Sequence, residues 1–340
     1  MAPPSPISTA LHALKFQLKL RERLRPAFGV VDALALPGTA VSALYLRTLR
    51  RFGIRELSLN RELLSNLGVF PLQAHYYEPF TRRSDLRRPL NEPRQLPGLE
   101  LNERGQLAML ETFAVGDELR AIPSKQQSPT EYGYENGTFG FGDGAWLYSF
   151  IRTVKPKRFL EVGSGNSTLI ARLAMNKNAA EGHATQHTCI EPYEMPWLEK
   201  LGIEIVRERV EESPLSRFEA LRSGDVLFID SSHVLRPQGD VLFLLQEVLP
   251  RLAPGVFVHV HDIFTPRDYP EHWVLEKMLM WDEQYLLESF LTFNDRFEIV
   301  GALNHLYHSH REALVKALPV LDDAAASQPM SFWVRVKPAK

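Results

Sequence analysis

The stretch RFLEVGSGNST, residues Arg158 to Thr168, decides the fold of this chain. Its apolar start, Phe159 to Val162, is typical of a buried strand and leads directly into glycines and small polar residues. The residues after Thr168, LIARLAM, predict a helix. Gly163 and Gly165 can adopt positive φ and carry no Cβ, so a ligand can lie against the turn. The stretch therefore predicts a strand, a glycine turn and a helix whose first N–H groups are free.

Two classes of cofactor use a turn of this kind. Dinucleotides set a pyrophosphate on the helix end and favour G-x-G-x-x-G, in which the third glycine lets helix and strand pack closely. Thr168 occupies that third position here. Glu161, just ahead of the first glycine, places a carboxylate where a negative pyrophosphate would arrive, so it suits a cationic ligand better. An NAD-dependent dehydrogenase is therefore the less favoured alternative.

The run from Glu161 to Thr168 resembles motif I of the class I S-adenosylmethionine (SAM) methyltransferases. The resemblance implies that SAM is the cofactor and that the acid of the motif, Glu161, lies near its amino-acid end. It also implies that SAM is bound by the turn residues Gly163, Ser164, Gly165, Ser167 and Thr168.

From Lys157 onward strands and helices alternate regularly, which predicts an α/β domain. The predicted strands are 158–162, 187–191, 203–207, 225–230, 255–261, 296–302 and 330–337. This count and order match the Rossmann-like class I methyltransferase fold, a mostly parallel seven-stranded sheet with helices on both faces. The resemblance implies that the last strand inserts antiparallel between strands five and six. We expect an N-terminal helical and loop extension at 1–130 and a methyltransferase domain at 131–340.

The carboxyl ends of the strands are where an open α/β sheet binds its ligand. Strand two ends in Ile190-Glu191. In the methyltransferases an acid at this place holds both ribose hydroxyls of SAM, which a carboxylate can do because it has two acceptor oxygens. The resemblance assigns this role to Glu191.

Strand four ends in Asp230-Ser231-Ser232-His233, and strand five ends in His259-Val260-His261-Asp262. These pieces resemble methyltransferase family 24, the group of the macrocin-type sugar O-methyltransferases, over about residues 130–340. In that group strand four gives D-x-x-H and strand five gives an H-D or D-D pair. The macrocin relatives have two carboxylates at the end of strand five, and here His261 replaces one of them. The resemblance places Asp230 near both SAM and the reacting atoms, whereas His259 is expected to be a core residue.

Two mechanisms for methyl transfer to a hydroxyl remain open. In the first, His233 is the general base, with a pKa near 6.5, and Asp230 and His261 complete the catalytic site. In the second, Asp230, His261 and Asp262 bind Mg²⁺ or Mn²⁺, which acidifies the hydroxyl. The sequence favours the first slightly, because His261 reduces the negative charge available to a hard cation. An alternative from another class is a non-catalytic methyltransferase-like module for binding or assembly.

Composition limits the partners and the compartment. The chain has 340 residues, 44% of them hydrophobic and 24% charged, as is usual for a soluble globular protein. A net charge of −2 gives no overall field for nucleic acid, so we expect none as a partner. The single cysteine, Cys189, excludes an internal disulfide and a four-cysteine zinc site and suits the reducing cytoplasm. The expected partner is a small polar acceptor, such as a sugar or the hydroxyl of a secondary metabolite.

Residues 11 to 55 carry nine basic side chains against two acidic ones. Leu11, Leu14 and Leu18 have helical spacing, which predicts a basic amphipathic helix. We favour packing of this helix on the main domain, with peripheral contact to an anionic membrane, or with a partner such as a second copy of the chain, as the alternative. A membrane-spanning helix is not expected, because the most apolar stretch, 27–46, contains Asp32 and the pair Pro37-Gly38.

Two segments ahead of the sheet could contact the acceptor. The loop 68–97 is rich in proline, arginine and aromatic residues, and Tyr76 and Arg82 are its candidates for stacking and for binding an anionic group. The glycine-rich run 132–144 could cover the cofactor as a lid, and it contributes Tyr134. Both segments could equally be ordered connections without a ligand. His305, His308 and His310 are expected in a solvated loop.

Overall fold

The computed structural model of the protein describes residues 27–193, 195–322 and 328–338, and its contacts divide the chain into two units, Met1–Asp85 and Leu86–Lys340. The larger unit thus begins earlier than the expected domain start at residue 131. The reason is a short helix, α3 (Glu103–Glu111), that packs on the sixth strand of the sheet. Gln106 Oε1 accepts the N–H of Ala302 at 2.6 Å, so residues before 131 belong to this unit.

The smaller unit contains the helices α1 (Phe28–Arg51) and α2 (Ser58–Asn66). The prediction that Pro37-Gly38 interrupts the apolar stretch is wrong, since α1 continues through both residues. A proline in a helix removes one backbone hydrogen bond, and here the helix resumes beyond Gly38 and continues to Arg51. The leucines of the predicted amphipathic helix, Leu11, Leu14 and Leu18, lie outside the described residues.

The larger unit is built on one seven-stranded sheet, as the sequence predicted. The strands are β1 (Arg158–Val162), β2 (Gln186–Ile190), β3 (Glu204–Val206), β4 (Val226–Ile229), β5 (Phe257–Val260), β6 (Phe297–Ala302) and β7 (Phe332–Val336). Their spatial order is β3-β2-β1-β4-β5-β7-β6. The first five strands are parallel, and β7 pairs antiparallel with both β5 and β6. The antiparallel insertion implied by the resemblance is therefore confirmed.

Helices cover both faces of the sheet. They are α4 (Gly116–Arg120), α5 (Phe141–Val154), α6 (Asn166–Ala180), α7 (Leu215–Glu219), α8 (Asp240–Leu242), α9 (Glu283–Leu291), α10 (Leu303–Ser309) and α11 (Arg311–Ala317). α8 continues as a π-helical turn, Phe243–Val248, and a 3-10 turn, Leu249–Arg251. The loop expected after strand six is instead the helix α10. Its apolar residues Leu303 and Leu306 are fully buried, which fixes it against the sheet.

One apolar core lies on each face of the sheet. On one face, Trp146, Phe150 and Trp333 are completely buried, and the rings of Phe150 and Trp333 are 4.4 Å apart between centroids. On the other face, Phe218 and Leu244 pack against the strands. Because both faces are filled, only the strand ends remain open for a ligand, and the polar residues gather there.

Candidate active site

The turn between β1 and α6 has a left-handed residue at Gly163, with φ of +81°. A Cβ at this position would lie 2.1 Å from the carbonyl oxygen of Asp230, so only glycine fits. Gly165 differs from the expectation of a positive φ, because its backbone is extended. No atom lies within 4 Å of where its Cβ would be, which leaves open space above the turn. The N–H of Gly165 donates to Thr168 Oγ1 at 3.0 Å, and this bond holds the turn against α6.

Glu161 lies beneath the turn rather than in the open space above it. Its side chain is completely buried and accepts hydrogen bonds from Ser167 Oγ at 2.8 Å and Cys189 Sγ at 3.1 Å. His187 Nε2 is 3.0 Å from the same carboxylate. The resemblance placed Glu161 and Ser167 at the cofactor, but in the structure these two side chains are hydrogen-bonded to each other. Their observed contacts support the turn from below.

Glu191 lines a cavity of about 290 Å³ at the carboxyl ends of β1, β2 and β4. One of its oxygens accepts the N–H of Ser164 at 3.1 Å and the other accepts the N–H of Tyr193 at 2.9 Å. Burial raises the pKa of the Glu191 carboxyl, and the two N–H donors oppose that rise. Each oxygen keeps a further lone pair that can accept from a ligand hydroxyl. The same cavity is lined by Gly163, Asp230, Ser231, Ser232, Arg209, Val210 and Glu211.

His233 is surrounded by three carboxylates, and this cluster lies at the ends of β4 and β5. Its Nε2 is 3.4 Å from Asp230 Oδ1 and 3.3 Å from Asp262 Oδ2, and its Nδ1 is 2.8 Å from Glu283 Oε2. The Trp281 ring packs on the imidazole, with centroids 4.3 Å apart. The structure thus brings Asp262 to Asp230 and His233, about thirty positions earlier in the sequence.

The charge on His233 follows from these contacts. Burial lowers the pKa of the imidazole, but the hydrogen bonds and charges of Asp230, Glu283 and Asp262 outweigh burial and raise its pKa to about 10. The expected pKa near 6.5 is therefore not the one that this environment produces. In the metal-free cluster His233 is an imidazolium at neutral pH, and both of its nitrogens donate. Such a ring cannot accept a proton until the carboxylate charges around it are compensated.

Burial and neighbouring charges also shift the pKa values of the three carboxylic acids in the cluster. Burial raises the pKa of Asp262 above its usual range, although His261 and His233 oppose the rise. For Asp230 burial also raises the pKa, but the two histidines outweigh it and the net shift is downward. Glu283 is completely buried, and burial raises its pKa.

His261 is buried at 3% exposure, yet neither of its ring nitrogens has a hydrogen-bond partner among the described residues. Its Nε2 is 3.8 Å from Asp262 Oδ1, too far for a hydrogen bond. Buried polar groups are normally paired, so the two unpaired nitrogens of His261 beside Asp262 are available to a ligand. Asp230, His233 and Asp262 also place one ligand atom each within 4.8 Å of one another. Nitrogen and carboxylate donors of this kind suit Mn²⁺ and, where oxygen dominates, Mg²⁺.

The glycine-rich run before α5 touches the site at two points. Asn166 Nδ2, at the start of α6, donates to Thr138 Oγ1 at 2.8 Å. The Phe139 ring lies 4.9 Å from the His261 ring between centroids. The run is therefore in contact with both the glycine turn and the His261 side of the cluster. His259 is a core residue, as expected, and its Nε2 pairs with Ser331 Oγ at 3.0 Å.

Of the three residues expected to contact the acceptor, Tyr134 is the one in the same unit as this site. Tyr134 is 2% exposed, its hydroxyl donates to the carbonyl of Leu119, and its ring stacks on Phe141, so it is a core residue. Tyr76 and Arg82 belong to the smaller unit, where Tyr76 is exposed and Arg82 is paired with Asp85 at 3.1 Å. Of the histidines expected in a solvated loop, His305 is buried on α10 and pairs with Glu103 at 2.8 Å.

Sequence reasoning missed Glu283 and Trp281, the two residues that hold His233 from the far side. They lie about fifty positions further along the chain, immediately before and at the start of α9. The one hint in the sequence was that Glu283 is an acid on the side of α9 that must be buried. Periodicity alone cannot tell which buried acid meets which histidine.

Residues 160–263 match the sequence model of a family described as a methyltransferase domain, Methyltransf_24. This segment is similar to that methyltransferase domain. Its boundaries enclose the glycine turn, Glu191 and the ends of β4 and β5. Together with the antiparallel β7 between β5 and β6, the match supports a SAM-dependent methyltransferase with the class I fold. The dehydrogenase alternative is thereby set aside.

Other similar proteins are more distant. An uncharacterized protein of Archaeoglobus fulgidus is 29% identical over 167 residues, which cover 45% of this chain and 74% of that protein. The O-methyltransferase of Bacillus cereus in complex with S-adenosylhomocysteine is 14% identical, with a TM-score of 0.34, over 68% of this chain and 91% of that one. The apo structure of CmcI-N160 is 10% identical, with a TM-score of 0.31, over 58% and 72% of the two chains. Likeness at this level specifies neither the acceptor nor the chemistry.

Proposed function

We propose that this methyltransferase transfers the methyl group of SAM to a hydroxyl oxygen of a small polar acceptor. SAM would occupy the cavity lined by Gly163, Glu191 and Val210, with its ribose hydroxyls on Glu191 and its methyl group directed to the ends of β4 and β5. The cluster of Asp230, His233 and Asp262 is the observation that carries the proposal. Attack on a sulfonium methyl group needs a hydroxyl that loses its proton, and these are the acid–base groups beside the cavity.

In the proposed reaction the acceptor oxygen attacks the methyl carbon in line with the sulfur, the carbon–sulfur bond breaks, and S-adenosylhomocysteine leaves. The hydroxyl proton must go to a group of the protein. His233 can take it only as a neutral ring, and its charge is maintained by Glu283 at Nδ1 and by two carboxylates at Nε2, Asp230 and Asp262. These two carboxylates are also the groups that would bind a cation. The two mechanisms that the sequence left open are therefore coupled through the same side chains.

The residues present fit a divalent cation, because Asp230, His233 and Asp262 each place a ligand atom within 4.8 Å of the others. The unpaired Nε2 of His261 lies nearby, 3.8 Å from Asp262 Oδ1. Asp230, Asp262 and either His233 or His261 would hold the ion, and a bound Mg²⁺ or Mn²⁺ would acidify the acceptor hydroxyl. Glu283 is 2.8 Å from His233 Nδ1 and orients the imidazole so that its Nε2 faces Asp230 and Asp262.

The test is a transfer assay with SAM labelled in its methyl group and a panel of phenols, sugars and amines. We expect label on oxygen acceptors, equimolar S-adenosylhomocysteine, and at least a hundredfold loss in Asp230→Asn, which leaves the charge of His233 unbalanced. Label found only on amines would overturn the assignment of O-methylation. Calorimetric binding of NAD but not SAM would overturn the proposal as a whole, and SAM binding without transfer to any acceptor would favour a non-catalytic module.

A further inference from the structure

The helix α1 presents apolar side chains to solvent on every side. All residues from Phe28 to Tyr45 are exposed, and Leu34, Leu36 and Val41 are 76%, 64% and 69% exposed. The helix has 24 residues and is the one helix in the described part of the chain that is long and apolar enough to cross a membrane. A helix that packed on a protein surface would be apolar on one face only. A helix with apolar side chains around its whole circumference, such as α1, is typical of an environment that is apolar on all sides of the helix.

We propose that α1 is embedded in an anionic lipid bilayer and anchors the methyltransferase to it. At 1.5 Å per residue its 24 residues extend about 36 Å, against a hydrocarbon core of about 30 Å. Between Phe28 and Leu46 the only charged residue is Asp32, which lies about 6 Å along the axis from Phe28 and so near one interface.

Polar groups within α1 are satisfied by the helix itself. Thr39 Oγ1 donates to the carbonyl of Ala35 at 3.2 Å, and Thr48 Oγ1 donates to the carbonyl of Leu44 at 2.8 Å. A hydroxyl bonded to its own helix can enter hydrocarbon without leaving an unpaired donor. The carbonyl released by Pro37 is that of Ala33, one turn earlier, and membrane helices accommodate such a proline.

The charges at both ends of the helix select an anionic membrane rather than a neutral one. Arg47, Arg50 and Arg51 follow the apolar stretch, and the sequence before it carries Lys15, Lys19, Arg21, Arg23 and Arg25. Basic residues at the ends of a membrane helix extend to the lipid headgroups, and each contributes to attraction by anionic lipids. Peripheral contact alone, which the sequence suggested, would leave the apolar side chains of α1 in water.

The experiment uses the full chain and vesicles of phosphatidylcholine and phosphatidylserine, with flotation before and after a wash in about 1 M NaCl, where the Debye length is about 3 Å. We expect the protein to float with the vesicles and to remain after the wash. The double variant Leu36→Glu/Val41→Glu places two carboxylates at the middle of the helix and should reduce recovery about tenfold or more. Leu59→Glu/Leu63→Glu makes the same change on two exposed leucines of α2 and should float normally.

Four outcomes would overturn the proposal. Release by salt would show a peripheral contact only. A stable dimer in buffer without lipid or detergent would show that a second copy covers α1. Recovery of protein cleaved after α1 from cells would show a removed leader. Equal flotation of the α1 variant and the wild type, with equal thermal stability, would place the lipid contact elsewhere in the chain.

Discussion

His233 Nε2 lies 3.3 Å from Asp262 Oδ2, and both residues hold their backbones in the left-handed region, with φ of 61° and 57°. Residues other than glycine occupy this region at a cost of about 1–3 kcal/mol each. The two strained positions stand at the ends of the adjacent strands β4 and β5, and their side chains meet. Sheet packing therefore holds this pair together, as expected of groups arranged for chemistry rather than for stability.

The first prediction concerns the pH dependence of stability in the metal-free protein. The pKa of His233 is about 10 in the folded protein, above its unfolded value of about 6.5. Its contribution to the free energy of unfolding is therefore complete below pH 6.5 and is lost as the pH rises through 10. At 1.36 kcal/mol per pKa unit, the loss is at most about 5 kcal/mol. Denaturant unfolding in EDTA at pH 7 and pH 10 measures it. His233→Gln should reduce the change in unfolding free energy between these pH values. The control is His272→Gln, which alters an exposed histidine and should leave that change as in the wild type.

The second prediction separates the two glycines of the turn. Gly163→Ala introduces a Cβ 2.1 Å from the carbonyl oxygen of Asp230 at a positive φ, so we expect a loss of about 1–3 kcal/mol of unfolding free energy. Gly165→Ala meets no protein atom and should change stability by less than about 0.5 kcal/mol. It should still weaken the binding of SAM, because the methyl group of the new alanine enters the space above the turn. Calorimetry with SAM and thermal unfolding distinguish the two, and unchanged SAM affinity in Gly165→Ala would place the cofactor elsewhere.

The sequence predicted the strands and their order because each strand is a short apolar run bounded by turns, and these local signals agree with the global fold. It also placed Glu191, Asp230 and Asp262 at strand ends. It could not predict that Glu161 turns inward, because that depends on Ser167 and His187 meeting it from two other elements. For the same reason the charge of His233 was unpredictable, since Glu283 joins it only through the packing of α9. Tyr134 was misassigned because a tyrosine in a glycine-rich run gives no local sign of whether its ring is buried.

A third prediction tests the ribose contact. Glu191→Gln keeps the shape of the side chain but replaces one acceptor with an N–H₂ group that cannot accept from a hydroxyl. We expect SAM affinity to fall by about 1.5–3 kcal/mol, or roughly 10- to 150-fold, as for a hydrogen bond to a charged group. Glu212→Gln, an exposed acid near the same loop, is the matched control. Equal affinity in the two variants would show that Glu191 serves only the N–H groups of Ser164 and Tyr193.

A fourth prediction addresses the cation. Asp262→Asn retains the shape of the side chain and removes its charge, so it should abolish Mn²⁺ binding measured by titration calorimetry while SAM affinity changes less than about twofold. Asp322→Asn alters an exposed carboxylate outside the cluster and should bind Mn²⁺ as the wild type does. Retained Mn²⁺ affinity in Asp262→Asn would remove Asp262 from the site. A loss of SAM affinity instead would make this residue part of the cofactor site.

The last prediction links the ion to the proton of His233. If Asp230 and Asp262 give their charge to a cation, Glu283 is the one carboxylate of the cluster that still raises the pKa of the imidazolium, so that pKa falls and proton release is favoured. Titrating Mn²⁺ at pH 8 in buffers of different ionisation enthalpy counts the protons released, since each contributes the buffer's heat. We expect about one proton or more per ion in the wild type, because the pKa of His261 is also raised by the same two carboxylates. His233→Gln should release about one proton fewer. An enthalpy that is independent of the buffer would show that cation and His233 do not share these carboxylates, and the coupling proposed for the reaction would then be wrong.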